Sequence, residues 1–243
     1  MNKEIEINYE DYRDCSESHR YHPSVMFRNA FILRQIRKYN PKKLIDLWCW
    51  DGYLIATIHK EFPGIELSWM DYSHKVIEKN SGKYDFAKFH RWDLGSKEFS
   101  YQGTYDMVIC SEVIEHIPDR KAVIDNCISL VKPLWKLVLT TQAWTRYKSD
   151  IENGHLKHFT LKELEGEAVK AGMGVVLSIR RWFPFYDMQK YVHSLFYKTA
   201  TCVQKSEMNI LKYALFYIVY WLFLLSPKSY NLWNQIFIVN TKK

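Results

Sequence analysis

Residues 44–53 read Leu-Ile-Asp-Leu-Trp-Cys-Trp-Asp-Gly-Tyr. An apolar run carrying one acid, Asp46, gives way to a short turn and then to an amphipathic stretch, Leu54–Glu61. That is the pattern of a strand entering a helix through a tight turn. The alternation recurs downstream. Lys43–Leu47, Glu66–Met70, Phe86–His90, Tyr105–Cys110, Lys136–Thr141 and Val175–Ile179 read as strands, and Gln235–Asn240 as one more. Leu54–Glu61, Ser73–Asn80, Arg120–Val131 and Thr160–Ala171 read as helices between them. Strands and helices in turn predict an α/β fold, a mostly parallel doubly wound sheet covered on both faces. Upstream, Ser24–Tyr39 has helical spacing, with Ser24 as the expected cap and Asn40-Pro41 as the stop.

The rest of the composition narrows the class. The chain has 243 residues, 47% hydrophobic and 25% charged, with a net charge of +7. These are globular values, which exclude a collagen-like, wholly disordered or multi-span membrane chain. A mild basic excess favours acidic partners without proving one. Five cysteines without C-x-x-C spacing predict neither a disulfide framework nor a zinc ribbon. Residues 1–12 lack the basic and apolar regions of a signal peptide, so a cytoplasmic location is expected.

Four units are expected: residues 1–41, an N-terminal segment and lid helix; 42–181, the core; 182–232, an aromatic and basic insertion; and 233–243, the final strand. The insertion contains the most apolar run, Ala214–Leu225, with no polar face. Twelve residues at about 1.5 Å each fall short of a hydrocarbon core of about 30 Å. Lys198, Lys205, Lys212 and Lys228 flank it. A buried helix and an interfacial contact through 210–226, at the inner surface of an anionic membrane, are the two readings.

Ligands of doubly wound sheets sit at the carboxyl ends of the strands. Asp46, at the first strand end, either fixes the turn or meets a cationic ligand. Asp71, at the second, either caps the next helix or accepts the hydroxyls of a ribose. Asp93, after the third, is placed to accept from an adenine amino group.

Together these segments resemble the class I S-adenosylmethionine-dependent methyltransferases. LIDLWCWDGYL (44–54) is similar to the family's D-x-G-x-G loop, MDYS (70–73) to its ribose-binding acid and WDL (92–94) to its adenine-edge Asp. YDMVICSEVIEHIPD (105–119) is similar to the fourth motif of small-molecule members, including the ubiquinone-biosynthesis O-methyltransferases, and LVKPLWKLVLTT (130–141) to the K-P-G-G lead-in. The resemblance implies a Rossmann-like seven-stranded sheet whose last strand is antiparallel. It implies S-adenosyl-L-methionine as cofactor. Asp46 and the loop Trp48–Gly52, including Trp50, would face its methionine part, Asp71 and Tyr72 its ribose and adenine, Asp93 and Leu94 the adenine edge, and Ser111 and Glu112 its other side.

Glu112-Val-Ile-Glu-His116, if helical, puts two carboxylates and an imidazole on one face. The quinone-pathway enzymes and the small-RNA 2′-O-methyltransferases carry a similar E-x-x-E-H, the latter with a distant His-x-Phe. Here His158-Phe159 lies in a comparable place. Glu112, Glu115, His116 and His158 would then hold a divalent metal, Mg or similar, that acidifies a bound hydroxyl. Without metal, His116 or His158 would be the general base. The expected acceptor is an oxygen of a small or lipid-like molecule. RNA 2′-O-methylation, with nucleic acid as partner, is an alternative, and an inactive scaffold is another.

One departure stands out. Trp48 and Trp50 occupy both glycines of the cofactor loop, Leu134 and Trp135 those of the K-P-G-G lead-in, and Trp69 a position where glycine is common. The chain holds 9 Gly and 9 Trp, against a usual glycine share of roughly 7%. Some genetic codes read UGA as glycine and others as tryptophan. We read these tryptophans as glycine codons translated under the other table, with Trp92, Trp144 and Trp182 as weaker candidates and Trp221 and Trp233 as genuine.

Overall fold

The computed structural model describes residues 17–48, 50–100, 104–143, 146–181, 185, 186, 188, 190, 191, 207–225 and 235–243. Several sequence expectations lie outside these residues: those on 1–16, Cys49, Trp144, Trp182, Trp233, Lys198, Cys202, Lys205 and Lys228, and most of the insertion.

A seven-stranded sheet forms the centre, in the order β3-β2-β1-β4-β5-β7-β6. Its strands are β1 (Lys43–Leu47), β2 (Glu66–Asp71), β3 (Ala87–Arg91), β4 (Tyr105–Ser111), β5 (Val131–Gln142), β6 (Met173–Arg181) and β7 (Gln235–Lys242). β1 pairs in parallel with both β2 and β4, and β7 runs antiparallel between β5 and β6. The fold expected from the sequence is the fold observed.

The helices are α1 (Glu17–Arg20), α2 (Pro23–Tyr39), α3 (Tyr53–Glu61), α4 (His74–Ser81), α5 (Arg120–Leu130), α6 (Lys148–Glu152), α7 (Leu161–Lys170) and α8 (Ile210–Leu225). The two sheet faces are covered separately. Ile32 and Ile36 of α2 and Ile55 and Ile58 of α3 pack with Leu44, Leu67, Met107 and Val138 on one face. Val123, Cys127 and Leu130 of α5 and Leu164 of α7 pack with Ile45, Val108 and Leu137 on the other. Neighbours along a strand point to opposite faces, so β1 needs an apolar residue at nearly every position.

Two local expectations change. Ser24 does not cap α2. Pro23 occupies the first helical turn behind His22, and the Ser24 hydroxyl is 2.7 Å from His22 Nδ1 instead. Proline suits that position because its missing N–H has no helical partner there. Asn40 does end the helix, in the left-handed conformation. The apolar run 214–225 is the larger part of α8. Its inner side is buried at Lys212 and Phe223, and Val219 and Tyr220 pack toward Phe27, Ile179 and Phe237.

Asp106 ties the start of β1 to β4. Its carboxylate accepts from the backbone N–H groups of Lys42 (2.8 Å) and Lys43 (2.9 Å) and pairs with Lys132 at 2.8 Å. Burial alone would raise its pKa. The Lys132 ammonium and the two N–H donors outweigh that and hold it below the usual carboxylate value. Asp106→Ala is expected to cost about 3 kcal/mol at pH 7. Because the folded-state pKa is depressed, this contribution exists above the unfolded-state pKa and fades as pH falls through the folded one. Urea melts of parent and variant should therefore differ clearly at pH 7 and converge toward pH 2.

Candidate active site

The strand order reverses between β1 and β4, and the expected site residues gather at the carboxyl ends of these strands and of β2. Asp46 lies inside β1, nearly fully buried. Burial, then the charge of Asp71, pushes its pKa up to about 7. Asp71 ends β2, and its Oδ1 accepts from the Ser73 N–H at 2.9 Å. Ser73, not Asp71, caps α4, since its hydroxyl accepts from the Val76 N–H. That leaves Asp71 a buried, turn-fixing acid, with Tyr72 exposed next to it in the chain. Asp93 is exposed, with Oδ1 accepting from the Gly95 N–H at 2.8 Å. Leu94 turns its side chain into the core, while its carbonyl accepts from the Asn126 amide.

The loop after β1 is held by its main chain. The Trp48 N–H donates to the Met70 carbonyl at 2.7 Å, and the Asn80 amide donates to the Trp50 carbonyl at 3.0 Å. Trp48 (φ 67°), Trp50 (φ 54°) and Gly52 (φ 74°) are all left-handed. For a tryptophan that backbone costs on the order of 1–3 kcal/mol. The Trp48 ring stacks against His116 at 5.6 Å, and the Trp50 ring lies 5.0 Å from His19. At position 52 a Cβ would come within 2.3 Å of the Trp69 ring, so only glycine fits. From α1, Arg20 pairs with Asp51 at 2.8 Å.

After β4 the expected single helical face is not formed. Glu112 is left-handed (φ 56°), and only Ile114–His116 makes a 3-10 turn. The two carboxylates consequently diverge. Glu112 Oε1 accepts from Thr140 (2.9 Å) and Gln235 (2.6 Å), and its Oε2 is 3.7 Å from Arg28. The Ser111 hydroxyl is 2.9 Å from that of Thr140. Glu115 is fully buried. Its Oε2 accepts from Thr141 at 2.8 Å, and its Oε1 has no partner. Burial, then the Glu112 charge, raises its pKa well above the carboxylate range.

His116 stands beside Glu115. Burial lowers its pKa to about 4. Its ring meets the edge of His155 at 4.6 Å. His155 Nδ1 is 2.8 Å from His158 Nε2, and His158 Nε2 is 4.0 Å from the Asp150 carboxylate. Asp150 is ion-paired with Lys190, which also donates to Gln142. Burial, then His116, drives the His155 pKa far down. Both rings are thus neutral at neutral pH. His158 therefore stands behind His155, not against Glu115. The groups whose ligand atoms lie within 4.8 Å of one another are Glu115, His116 and His155, and Asp150, His155 and His158. His155 was overlooked in the sequence, although its spacing of three from His158 was visible there. Asp150, Lys190 and Gln235 carried no sequence signal.

Residues 45–134 match the methyltransferase-domain family. The ubiquinone biosynthesis O-methyltransferase of Vibrio campbellii is 30% identical over 125 residues, 47% of this chain and 49% of that protein. Its counterpart in Vibrio parahaemolyticus is 31% identical over 117 residues, 44% and 46% respectively. The chain thus aligns with about half the length of these relatives. Among solved structures, a putative sarcosine dimethylglycine methyltransferase from Galdieria sulphuraria superposes with a TM-score of 0.61 at 12% identity, over 90% of this chain and 86% of that one. The Haemonchus contortus phosphoethanolamine N-methyltransferase 2, in complex with S-adenosyl-L-methionine, gives 0.57 at 16% identity over 97% and 60%. At these identities the likeness is one of fold.

The raised pKa of Asp46 has a sign that can be checked. Between about pH 4 and pH 7 the folded chain keeps a proton that the unfolded chain releases, so stability falls as pH rises across that window and levels off above it. The loss is about 4 kcal/mol, three units at 1.36 each. Asp46→Asn should match the parent near pH 4 and be more stable at pH 8, as read by urea unfolding.

Proposed function

We propose that this chain, whose residues 45–134 are a class I S-adenosylmethionine-dependent methyltransferase domain, moves a methyl group to an oxygen of a small or lipid-like acceptor. The observation that carries the reading is a neutral His116 beside the cofactor loop, at the end of β4. An oxygen that gains a methyl group becomes a strong acid. Even an imidazole with a depressed pKa takes its proton. His155 and His158 serve as positioning residues: they fix the ring behind His116, and Asp150 with Lys190 closes the line. The relatives named O-methyltransferases support oxygen over nitrogen.

The cofactor fits on one side only. The buried Asp71, with the Tyr72 ring and Asp93 beside it, suits a ribose and an adenine. The methionine end does not fit the loop as written, because two indoles stand where backbone must be approached.

A divalent cation is the alternative to the His116 base, favoured by the partnerless Glu115 Oε1. Glu115, His116 and His155 would hold it. That set replaces the one expected from the sequence, because Glu112 is engaged by Thr140 and Gln235. Two imidazoles and one carboxylate suit zinc or iron better than magnesium. A bound cation would lower the pKa of the acceptor hydroxyl and orient it.

The outer side of α8 supports an amphiphilic acceptor met at a membrane surface. Leu211, Leu215, Ile218, Trp221 and Leu225 are exposed at helical spacing, and the one charged residue of the helix, Lys212, is buried on the other side. Among the described residues no helix is long and apolar enough to cross a membrane. A helix lying in the interface fits these facts.

Two measurements test the reading. Protein with an open cofactor loop should transfer a labelled methyl group from S-adenosylmethionine to a long-chain catechol. Removing metal with a chelator should slow that transfer about tenfold or more if the cation acts as described. Label appearing only in RNA would overturn the acceptor class. Separately, the protein should co-sediment with phosphatidylglycerol vesicles, and Leu215→Lys with Ile218→Lys should abolish it. Equal sedimentation of parent and variant would refute the contact through α8.

A further inference from the structure

We infer that positions 48 and 50 are glycine in the working protein, and that the two indoles close a cofactor site the rest of the chain builds. The inference rests on the methyltransferase reading of that site. It starts from the backbone. Among the described residues, five that are not glycine have positive φ: Asn40, Trp48, Trp50, Glu112 and Leu134. Asparagine tolerates that conformation at a helix end. A bulky side chain in it is an outlier, and glycine adopts it freely. Two tryptophans with this backbone stand two residues apart, and Gly52 repeats it two residues on.

The indoles do not produce the conformation. The loop is pinned through main-chain atoms, by the bond from the Trp48 N–H to the Met70 carbonyl and by that from the Asn80 amide to the Trp50 carbonyl. Neither bond involves an indole, so a residue of any type placed there meets the same constraint. The rings project from it into occupied surroundings, one against His116 and the other against His19. Leu134 marks the contrast. It carries the same left-handed backbone (φ 68°) but is 76% exposed, so its side chain obstructs nothing.

The backbone also limits the inference. Trp69 and Trp135 lie in strands without positive φ. The Trp69 ring packs with Tyr84 and Phe89, although its buried Nε1 finds no acceptor. The glycine assignment is therefore made for 48 and 50, where main-chain geometry demands it. A UGA codon, read as glycine in the source lineage and as tryptophan in the ordinary table, accounts for both positions. It also fits a chain with as many tryptophans as glycines.

The gene gives one test. UGA at positions 48 and 50, with UGG at Trp221, is the expected result, and UGG at 48 and 50 overturns the inference. The protein gives another. Calorimetry with S-adenosylhomocysteine is run on the chain as written, on Trp48→Gly, and on Trp48→Gly with Trp50→Gly. Thermal melting confirms that each is folded. The double variant should bind, and the chain as written should bind about 100-fold more weakly or not at all. Equal affinity for all three refutes the glycine assignment and leaves the methyltransferase reading standing. No binding by any of the three, with all of them folded, refutes both.

Discussion

β1 is hydrogen-bonded along one edge to β2 and along the other to β4, at the place where strand order reverses. Helices leaving these strands must diverge to opposite faces, and a crevice opens at their carboxyl ends. In the loop after β1, Trp48 and Trp50 are held through their main-chain N–H and C=O by the Met70 carbonyl of β2 and the Asn80 side chain of α4, while the Asp51 side chain accepts from Arg20 and the Tyr53 N–H. Asp46 and Asp71 are carried to the crevice by strands that are otherwise apolar. Their mutual charge and their burial are consequences of that placement.

The polar line behind the crevice depends on the same framework. The loop 155–159 is fastened to the 3-10 turn by the Leu156 N–H donating to the Glu115 carbonyl, and to β5 by the bridge between Ala143 and Phe159. This brings His155 against His116 and places His158 and Asp150 behind it. Burial keeps the His116 and His155 rings neutral and raises the Glu115 carboxyl. β7 contributes from far along the chain, with Gln235 donating to Glu112. With Thr140, that contact engages Glu112 Oε1, while Glu115 is bonded to Thr141.

α8 has a packed side and an exposed side. Phe223 and its neighbours close the core over α2 and β7, while Leu215, Ile218 and Trp221 remain outside. The sequence shows an apolar run with no polar face and leaves a packed helix and an interfacial one equally open. The structure packs one side of the helix on the core and leaves the other exposed.

The sequence alone determined the alternation of strands and helices, because two-residue and 3.6-residue periodicities report burial directly, while the antiparallel last strand is what the resemblance to the methyltransferases implies. The same resemblance marks 48 and 50 as positions where glycine is expected. The sequence did not determine which side chains meet after β4. The E-x-x-E-H spacing implies one face only on a continuous helix, and a left-handed Glu112 breaks that premise. Nor did it find His155 as the partner of His116, or Lys190 and Gln235, since no local pattern encodes a contact made across the sheet. Those pairings follow from tertiary packing, where the burial of each polar group is settled by what the neighbouring strand or loop brings to it.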